Sequence, residues 1–410
     1  MSVDVDAVVA ATFRSEWSRV VATLIRVTGD WDLAEECAQD AFAQALARWS
    51  VDGVPGRPGA WIVTTARNRA VDRLRRRSVE SAKLRQIAVV AEPVADDDPG
   101  GVADDRLRLL FTCCHPALSL EARVALTLRT VAGLSTAEVA RGCLVSEATM
   151  AKRLVRAKGK IRNARIPYRM PSADQLPTRT SGVLAVLYLL FNEGYAATSG
   201  ADRVRVDLCG EAIRLARLLA RLMPGEPEPR GLLALMLLHH SRRDARTDAT
   251  GGLVTLEEQD RTRWRRADID EGVAVLESAL DHGSVGPYQL QALIAACHAT
   301  AETARSTDWA GIARLYRRLA VVLPSPVVAL NHAVAVAMSE GPAAGLTLVE
   351  ELAADGGLVG YHLLPATRAD LLRRLGRHAE AAAEYLSAIE LADTDDVRDF
   401  LRRRLTDLTP

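Results

Sequence analysis

The sequence contains few of the residues that build β-sheets, disulfide-bonded domains or membrane spans. Aromatic residues make up only 4% of the 410 positions, while alanine, leucine, arginine and the acids abound, which favours helix over sheet. The six cysteines include one adjacent pair and no CxxC, so a disulfide framework is not expected in a chain of this size. No uninterrupted apolar run reaches the roughly 20 residues of a bilayer span, and the first residues carry acids instead of a basic and apolar leader. We therefore expect a soluble, cytoplasmic protein with no membrane partner.

The sequence also lacks the local motifs of common catalytic sites. It contains no Gly-rich phosphate loop, no HExxH and no local Ser/His/Asp spacing. His239, His240 and His298 stand in apolar helical context, which predicts a structural role for them. We expect no enzyme activity, no cofactor and no metal.

The net charge is zero, but the sequence contains two basic patches. Residues 57–90 carry nine basic and two acidic residues, and residues 141–165 carry eight basic and one acidic residue. Between them, residues 92–105 carry six acids and no base. Solvated helix faces would explain either patch alone, but two patches separated by an acidic stretch favour a polyanion that is contacted at two places.

The first half of the chain reads as two groups of helices. Apolar spacing predicts a helix that stops at Gly29, a second helix capped by Asp30 or Asp32, a Gly/Pro loop, and then the basic helix "WIVTTARNRAVDRLRRR". After an acidic flexible linker over residues 79–103, a second group follows over residues 104–166. Its last two helices surround a tight turn, which is typical of a helix-turn-helix whose second helix lies in a major groove.

Local signals fix the ends and faces of the helices in this second group. Ser119 and Ser146 are predicted N-caps, Gly133 is a predicted helix stop, and Ser135 with Glu138 matches the capping box. On the last helix Met150, Leu154 and Val155 are predicted to pack inward. An opposite face is predicted to be exposed and consists of Thr149, Lys152, Arg153 and Arg156.

The second half of the chain, residues 181–410, is predicted to be helical throughout. Three prolines separate it from the first half, and a loose period of about 35 residues recurs near its end. The small and aromatic positions of the last period are typical of a tetratricopeptide-like helix pair, although generic helical hairpins explain them as well. These positions are Ala369, Leu372, Gly376, Ala381, Tyr385 and Ala388.

Two segments of the first half together resemble a known family. "LAEECAQDAFAQALARW" followed by "AWIVTTARNRAVDRLRRR" resembles region two of bacterial extracytoplasmic-function sigma factors, and "LSTAEVARGCLVSEATMAKRLVRAKGKI" resembles their region four. The second half resembles the extension of the subgroup that carries tetratricopeptide-like repeats. The resemblance implies an all-α protein with region two at residues 1–78, region four at residues 104–166 and a repeat domain at residues 181–410.

The resemblance also implies partners and contact residues. The partners are core RNA polymerase, through its beta-prime clamp and beta flap, promoter DNA, and a possible protein partner of the repeats. The residues that match the clamp-binding surface are Asp32, Glu35, Glu36, Gln39 and Asp40. Those that match the surface for the −10 element are Arg57, Trp61, Arg67, Asn68, Arg69, Arg73, Arg75 and Arg76. Those that match the reader of the −35 element are Ser146, Glu147, Thr149, Lys152, Arg153 and Arg156.

The implied function is that of a sigma factor, which directs core polymerase to promoters, opens the duplex and is regulated by its own C-terminal half. Flipping a base out of the −10 element costs a few kcal/mol, which protein contacts must offset. An ordinary helix-turn-helix repressor or activator with a sensor domain stays open as a rival, and so does a peptide-binding scaffold.

Three features keep two interpretations each. Trp61 either stacks on DNA or packs in the core of its helix bundle. The segment "FNEGY" is either a functional contact or a helix end that Asn192 and Gly194 close. In "FTCCHPALSL", Cys113 and Cys114 either pack as small apolar residues at a corner, with His115 capping helix carbonyls, or they sense thiol chemistry; adjacent cysteines suit zinc poorly.

Overall fold

The computed structural model describes residues 4–84, 105–143, 145–196, 203–248, 252–281, 283, 285–392 and 394–408. These residues form helices and loops, with no strand beyond one isolated bridge between Thr247 and Leu253, so the predicted all-α class is confirmed. The chain divides into two compact units, residues 1–190 and residues 191–410. Among the described helices, none combines the length and the hydropathy needed to cross a bilayer.

The first unit begins with three long helices, followed by shorter ones. Residues 85–104, which include most of the predicted acidic linker, lie outside the described residues. The last helix of the series crosses the division between the units. The helices are α1 (Val5–Thr28), α2 (Trp31–Asp52), α3 (Pro58–Leu84), α4 (Asp105–Cys113), α5 (Leu120–Leu126), a π-helical turn (Thr127–Val131), α6 (Thr136–Gly142), α7 (Glu147–Asn163) and α8 (Leu176–Ala196).

Helix α1 lies at the centre of the first unit, where it contacts α2, α3, α4 and the π-helical turn. The rings of Phe13, Trp17 and Phe42 pack together, with centroids 4.9 to 6.3 Å apart. The indole N–H of Trp17 donates to the carbonyl of Thr130 at 3.1 Å, so the only polar atom of a buried ring has a partner. Gly133 follows with φ +82°, and a Cβ there would lie 2.8 Å from the Trp17 ring, so glycine meets both needs.

The predicted helix ends of the first unit are confirmed. Gly29 ends α1 with φ +66°, and the Asp30 carboxylate accepts from the backbone of Asp32 and Leu33, which decides between the two candidate caps of α2. Ser119 and Ser146 cap α5 and α7. The capping box before α6 is complete as well, because the side chain of each partner accepts from the backbone N–H of the other.

One face of α7 packs inward, and it differs from the prediction by one residue. Met150, Leu154, Ala157 and Ile161 are buried, at the three- and four-residue spacing of a single helix face. Val155 was predicted to be buried and this is wrong, because it is 70% exposed. Its position, one residue after Leu154, turns it about 100° away from the buried stripe.

The second unit is a succession of helices joined by short loops. Its helices after α8 are α9 (Arg203–Leu222), α10 (Pro227–His240), α11 (Arg266–Leu280), α12 (Pro287–Thr300), α13 (Trp309–Val322), α14 (Pro326–Glu340), α15 (Pro342–Ala354), α16 (Leu363–Arg374), α17 (His378–Leu391) and α18 (Asp395–Thr406).

Helix α10 is buried on nearly every side, because α9, α11 and α12 all pack against it. From α12 onward each helix packs on the next, and α14 also contacts α16. Five of the six positions that suggested a repeat are at most 2% exposed in α16 and α17: Ala369, Leu372, Ala381, Tyr385 and Ala388. A chain of neighbouring helix pairs agrees with the period of the sequence, and the tetratricopeptide-like character of these pairs stays a prediction.

Candidate nucleic-acid interface

The acidic face of α2 lies against the helices that follow α4. Asp32 is 78% exposed and its carboxylate lies 2.8 Å from the ammonium of Lys158 on α7. Glu35 is only 7% exposed and lies 3.2 Å from Lys158 and 3.4 Å from the guanidinium of Arg129. The hydroxyl of Thr130 donates to Glu35 at 3.1 Å. Region four, as predicted from the sequence, therefore surrounds one of the predicted clamp-binding carboxylates.

The other acids of this face turn toward α3. Asp40 accepts from Arg69 at 3.0 Å and from Arg73 at 2.9 Å, and Arg73 also pairs with Glu36. The hydrogen bond that Arg73 donates to the Glu36 carboxylate raises the pKa of Arg73 above its ordinary value. Gln39 is exposed. Two of the arginines predicted to hold DNA are thus already paired with predicted clamp-binding acids.

A cleft of about 530 Å³ lies between α2 and α3. Among the predicted −10 residues, Asn68, Arg69, Arg73 and Arg76 line it, while Arg57, Arg67 and Arg75 are exposed elsewhere on the loop and helix. The prediction missed Gln44 and Arg48, which α2 contributes to the same cleft. Their position on the far end of an acidic helix gave no sign in the sequence that they face α3.

Trp61 lies at the base of α3 and is partly exposed. Its ring packs edge-on against the buried Trp49, with the centroids 5.5 Å apart. Packing against α2 therefore accounts for part of the indole, while the residue as a whole stays partly accessible to solvent. The contact with Trp49 supports the core interpretation of Trp61, and its partial exposure leaves the interpretation of stacking on DNA open.

A second cleft of about 530 Å³ lies between α7 and the turn before α5. The predicted −35 residues Thr149, Lys152, Arg153 and Arg156 all line it. Ser146 and Glu147 are exposed at the first turn of the same helix. The prediction missed Lys160, one turn further along, and Ser119, which the opposite wall contributes. Lys160 could have been found by extending the exposed stripe by four residues.

The corner "FTCCHPALSL" leads into this second cleft. Cys113 and Cys114 are at most 2% exposed, and burial raises the pKa of Cys114 to about 11 and that of Cys113 well above its ordinary value. Since the thiolate is the reactive form, both groups are protonated and inert near neutral pH, which supports the packing interpretation. His115 does not cap helix carbonyls as predicted, because its Nδ1 accepts from the backbone N–H of Ala117. No group of potential metal ligands occurs within the described part of the chain.

The segment "FNEGY" lies at the start of the second unit, where Phe191 and Gly194 are buried and Glu193 is exposed. Helix α8 continues to Ala196, so the expectation that Asn192 and Gly194 close it is wrong. The guanidinium of Arg246 lies 3.8 Å from the centroid of the Tyr195 ring and donates to the Tyr195 carbonyl. Packing within the helix overrides the tendency of Asn and Gly to end helices.

The predicted histidines lie in the same part of the second unit. Burial, with Arg242 as a neighbouring cation, lowers the pKa of His239 to about 3 and that of His298 to about 4. The Nδ1–H of His240 donates to the Asp268 carboxylate at 2.7 Å, and its Nε2 accepts from Arg243 at 2.8 Å. Their environment is that of packed structural histidines.

Comparison with known proteins matches the two halves of the chain to different families. Residues 12–79 match Sigma-70 region 2, residues 108–161 match Sigma-70 region 4, and residues 179–280 match a family of unknown function, DUF6596. An uncharacterized protein of Rhizobium meliloti strain 1021 is 45% identical over 396 residues, which are 95% of this chain and 93% of that protein.

Two further relatives cover the first half only. The ECF RNA polymerase sigma factor SigK of Mycobacterium sp. strain KMS is 34% identical over 157 residues, 37% of this chain and 79% of that protein. SigK of Mycobacterium bovis strain BCG Pasteur 1173P2 is 31% identical over 150 residues, 36% of this chain and 79% of that protein. Sigma factors are transcription initiation factors rather than enzymes, and membership of their family implies core RNA polymerase and promoter DNA as partners. The chain therefore belongs to the sigma-70 family of RNA polymerase sigma factors, in which it joins region 2 and region 4 to a DUF6596 domain.

Proposed function

We propose that this sigma factor directs core RNA polymerase to promoters that have both a −10 and a −35 element. The observation that carries the proposal is the pair of separate basic clefts in one unit, one between α2 and α3 and one beside α7. A protein that reads a single duplex operator needs only the second cleft. Region 2 and region 4 are proposed to read the two elements.

Helix α7 is proposed to enter the major groove of the −35 element. Its N-terminal turn and its exposed face carry hydroxyl, carboxylate and basic groups, which can reach base edges and phosphates. Lys152, Arg153 and Arg156 form no ion pair within the described residues, so binding DNA does not require breaking one. Buried Met150 and Leu154 fix the rotation of the helix that presents them.

Helix α3 is proposed to hold the displaced strand of the −10 element. Arg67, Asn68 and Arg76 are exposed and can contact phosphates, which makes the contact dependent on salt. Arg57 lies in the loop before α3, and the partly exposed Trp61 is proposed to stack on an unpaired base. These contacts would offset the few kcal/mol that unstacking a base costs.

Helix α2 is proposed to bind the beta-prime clamp through Asp32, Glu35, Glu36, Gln39 and Asp40, and region 4 to bind the beta flap. A carboxylate-rich helix face suits a basic partner surface. The acids Asp32 and Glu36 are the most accessible of the set, because both are more than half exposed.

The test is transcription in vitro from a library of genomic fragments, with core polymerase and the purified full-length chain. We expect run-off products whose start sites share two upstream sequence elements, and a footprint over those elements only when core enzyme is present. A repressor or activator would instead protect duplex DNA alone, and that outcome would contradict the proposal. A scaffold would give neither transcript nor footprint.

We also propose that the second unit, within the predicted residues 181–410, modulates the activity of the first, through a protein partner or through contacts of its own. The support is a mildly acidic helical unit covalently attached to a basic DNA-binding unit, since residues 166–410 carry a net charge of −5. A chain that ends after Ala196, and so retains all of α8, is compared with the full chain on the mapped promoters. Equal output from both chains would contradict this part of the proposal.

A further inference from the structure

Region 4 contacts one end of the surface of region 2 that is proposed to bind polymerase, at Asp32 and Glu35. Lys158, on the inner side of α7, reaches both Asp32 and Glu35 on α2, at 2.8 and 3.2 Å. Arg129 and Thr130 of the π-helical turn complete the surroundings of Glu35. The DNA-reading residues of α7 occupy a different face of the same helix, where Lys152 and Arg156 line the cleft beside α5.

The contact at Glu35 is specific because the carboxylate is buried. A buried carboxylate that loses its cations costs several kcal/mol, whereas an exposed ion pair contributes at most about 1 kcal/mol. Glu35 is 7% exposed, each of its two carboxylate oxygens has a cationic partner, and one of them also accepts from the Thr130 hydroxyl. Glu35 therefore requires a cationic partner in whatever state the protein adopts.

A second set of contacts holds region 4 to α1. The Trp17 indole donates to Thr130, and Gly133 lies against the same ring. At the other end of α1, Arg26 pairs with Asp105 at 3.0 Å. The phenol of Tyr168 lies 3.0 Å from the carbonyl of Ala22 on α1 and 3.1 Å from that of Asp105 on α4.

The geometry points to a self-inhibited state, in which region 4 of the same chain holds Asp32 and Glu35, one end of the proposed clamp-binding face of α2, in place of polymerase. Lys158 and Arg129 supply the positive charges that the clamp would otherwise supply. This inference rests on the proposed role of α2, and it adds that binding of core polymerase requires region 4 to leave region 2. Glu35 then exchanges one set of cations for another, so the buried carboxylate is never left without a partner.

The closed state lowers the apparent affinity for polymerase by the fraction of molecules that are open. A substitution that weakens the contact of region 4 with α2 therefore strengthens polymerase binding, although it removes an attractive ion pair. A merely structural ion pair predicts the opposite sign or no change. The sign of the effect is thus the distinguishing observation.

A zero-length carbodiimide cross-link tests the closed state in the full-length protein. The Lys158 ammonium and the exposed Asp32 carboxylate are in direct contact, so we expect an isopeptide between them, identified by mass spectrometry. Saturating core polymerase is expected to lower its yield about tenfold. Absence of the cross-link in the free protein, or an unchanged yield in a complex shown to have formed, would overturn the inference.

Affinity for core polymerase without DNA tests the competition. Lys158→Ala is expected to bind core enzyme about tenfold more tightly than wild type, because Glu35 keeps only Arg129 in the closed state. Lys158→Arg preserves the charge and is expected to bind like wild type. Arg141→Ala removes an equivalent charge from an exposed position on α6 and is the matched control.

The outcomes separate this inference from the proposed function. If wild type binds core enzyme and Lys158→Ala binds equally or more weakly, the self-inhibited state is wrong while the sigma-factor proposal stands. If wild type fails to bind core enzyme and gives no promoter-specific transcript, both are wrong. Circular dichroism of each variant verifies that its helical content matches wild type.

Discussion

The two units of the chain use similar basic residues in different ways. In residues 1–190, Lys152, Arg153 and Arg156 line an open cleft and are available for a partner. In residues 191–410, Arg246 packs on the Tyr195 ring, and Arg374 pairs with both Asp370 and Glu257. The comparison teaches that charge content alone does not identify a DNA-binding surface. What matters is whether the fold leaves the cations accessible.

The largest expected effect is a loss of stability of the second unit at acidic pH. Burial lowers the pKa of His239 to about 3 and of His298 to about 4, while an unfolded histidine titrates near 6.5. Between these values the unfolded state binds more protons, so stability is full above pH 6.5 and is lost as the pH falls. Linkage predicts a loss of about 4 kcal/mol between pH 7 and pH 5 for the two groups together.

Urea unfolding of the full chain at a series of pH values measures this loss. The first unit contains only His115 among the histidines, so the transition that responds most strongly to acid should be that of the second unit. Replacing His239 and His298 by glutamine should flatten the pH profile, even if it lowers stability at pH 7. A pH profile that is equally steep in the double variant would contradict the assignment of the acid sensitivity to His239 and His298.

The next effect is expected at the open cleft of the first unit. Lys152→Ala combined with Arg156→Ala is expected to lower transcription from a mapped promoter about 100-fold, or about 3 kcal/mol, because two contacts with the −35 element are lost. Stability and affinity for core polymerase should not change. Run-off transcription and a core-binding assay measure the two properties. Arg141→Ala, with the same change of charge per site, should transcribe like wild type.

A smaller effect is expected from an arginine of the second unit. Arg246→Ala removes a cation that packs on Tyr195 and donates to its carbonyl, so the free energy of unfolding should fall by about 2 kcal/mol. Urea denaturation measures the change. Arg266→Ala, at a position with a 76% exposed side chain, should stay within about 0.5 kcal/mol of wild type. Equal destabilisation by both variants would show that Arg246 makes no special contribution.

The smallest expected effect is a difference in DNA affinity between substitutions of two arginines of α3. Arg67 is exposed, whereas Arg69 donates to Asp40 at 3.0 Å and is partly neutralised before DNA arrives. Arg67→Ala should weaken binding of a single-stranded −10 oligonucleotide about fivefold, and Arg69→Ala about twofold, at low salt. Fluorescence anisotropy measures both. A larger loss for Arg69 would mean that its pair with Asp40 orders the cation for binding instead of competing for it.

Local signals in the sequence were sufficient for much of the first unit. Caps and stops at Gly29, Ser119, Ser135 and Ser146 depend on bonds within one helical turn, and all of them are confirmed. The exposed face of α7 also followed from spacing alone. The errors have different causes: Val155 lies one residue beyond the buried stripe of its own helix, His115 accepts from the nearby Ala117, and α8 continues past Asn192 to Ala196.

The sequence by itself determined the helical class, the order of the elements and the residue types on each exposed face, since these follow from helix periodicity and from capping. Only the tertiary structure decided which charges are already paired. Glu35 and Lys158 stand 123 positions apart, and nothing local to either residue indicates that a lysine of α7 pairs with this carboxylate of α2. Ion pairs of this kind form when packing of apolar faces, here around Trp17, brings distant helices together, and it is this packing that determines whether a carboxylate is open to a partner.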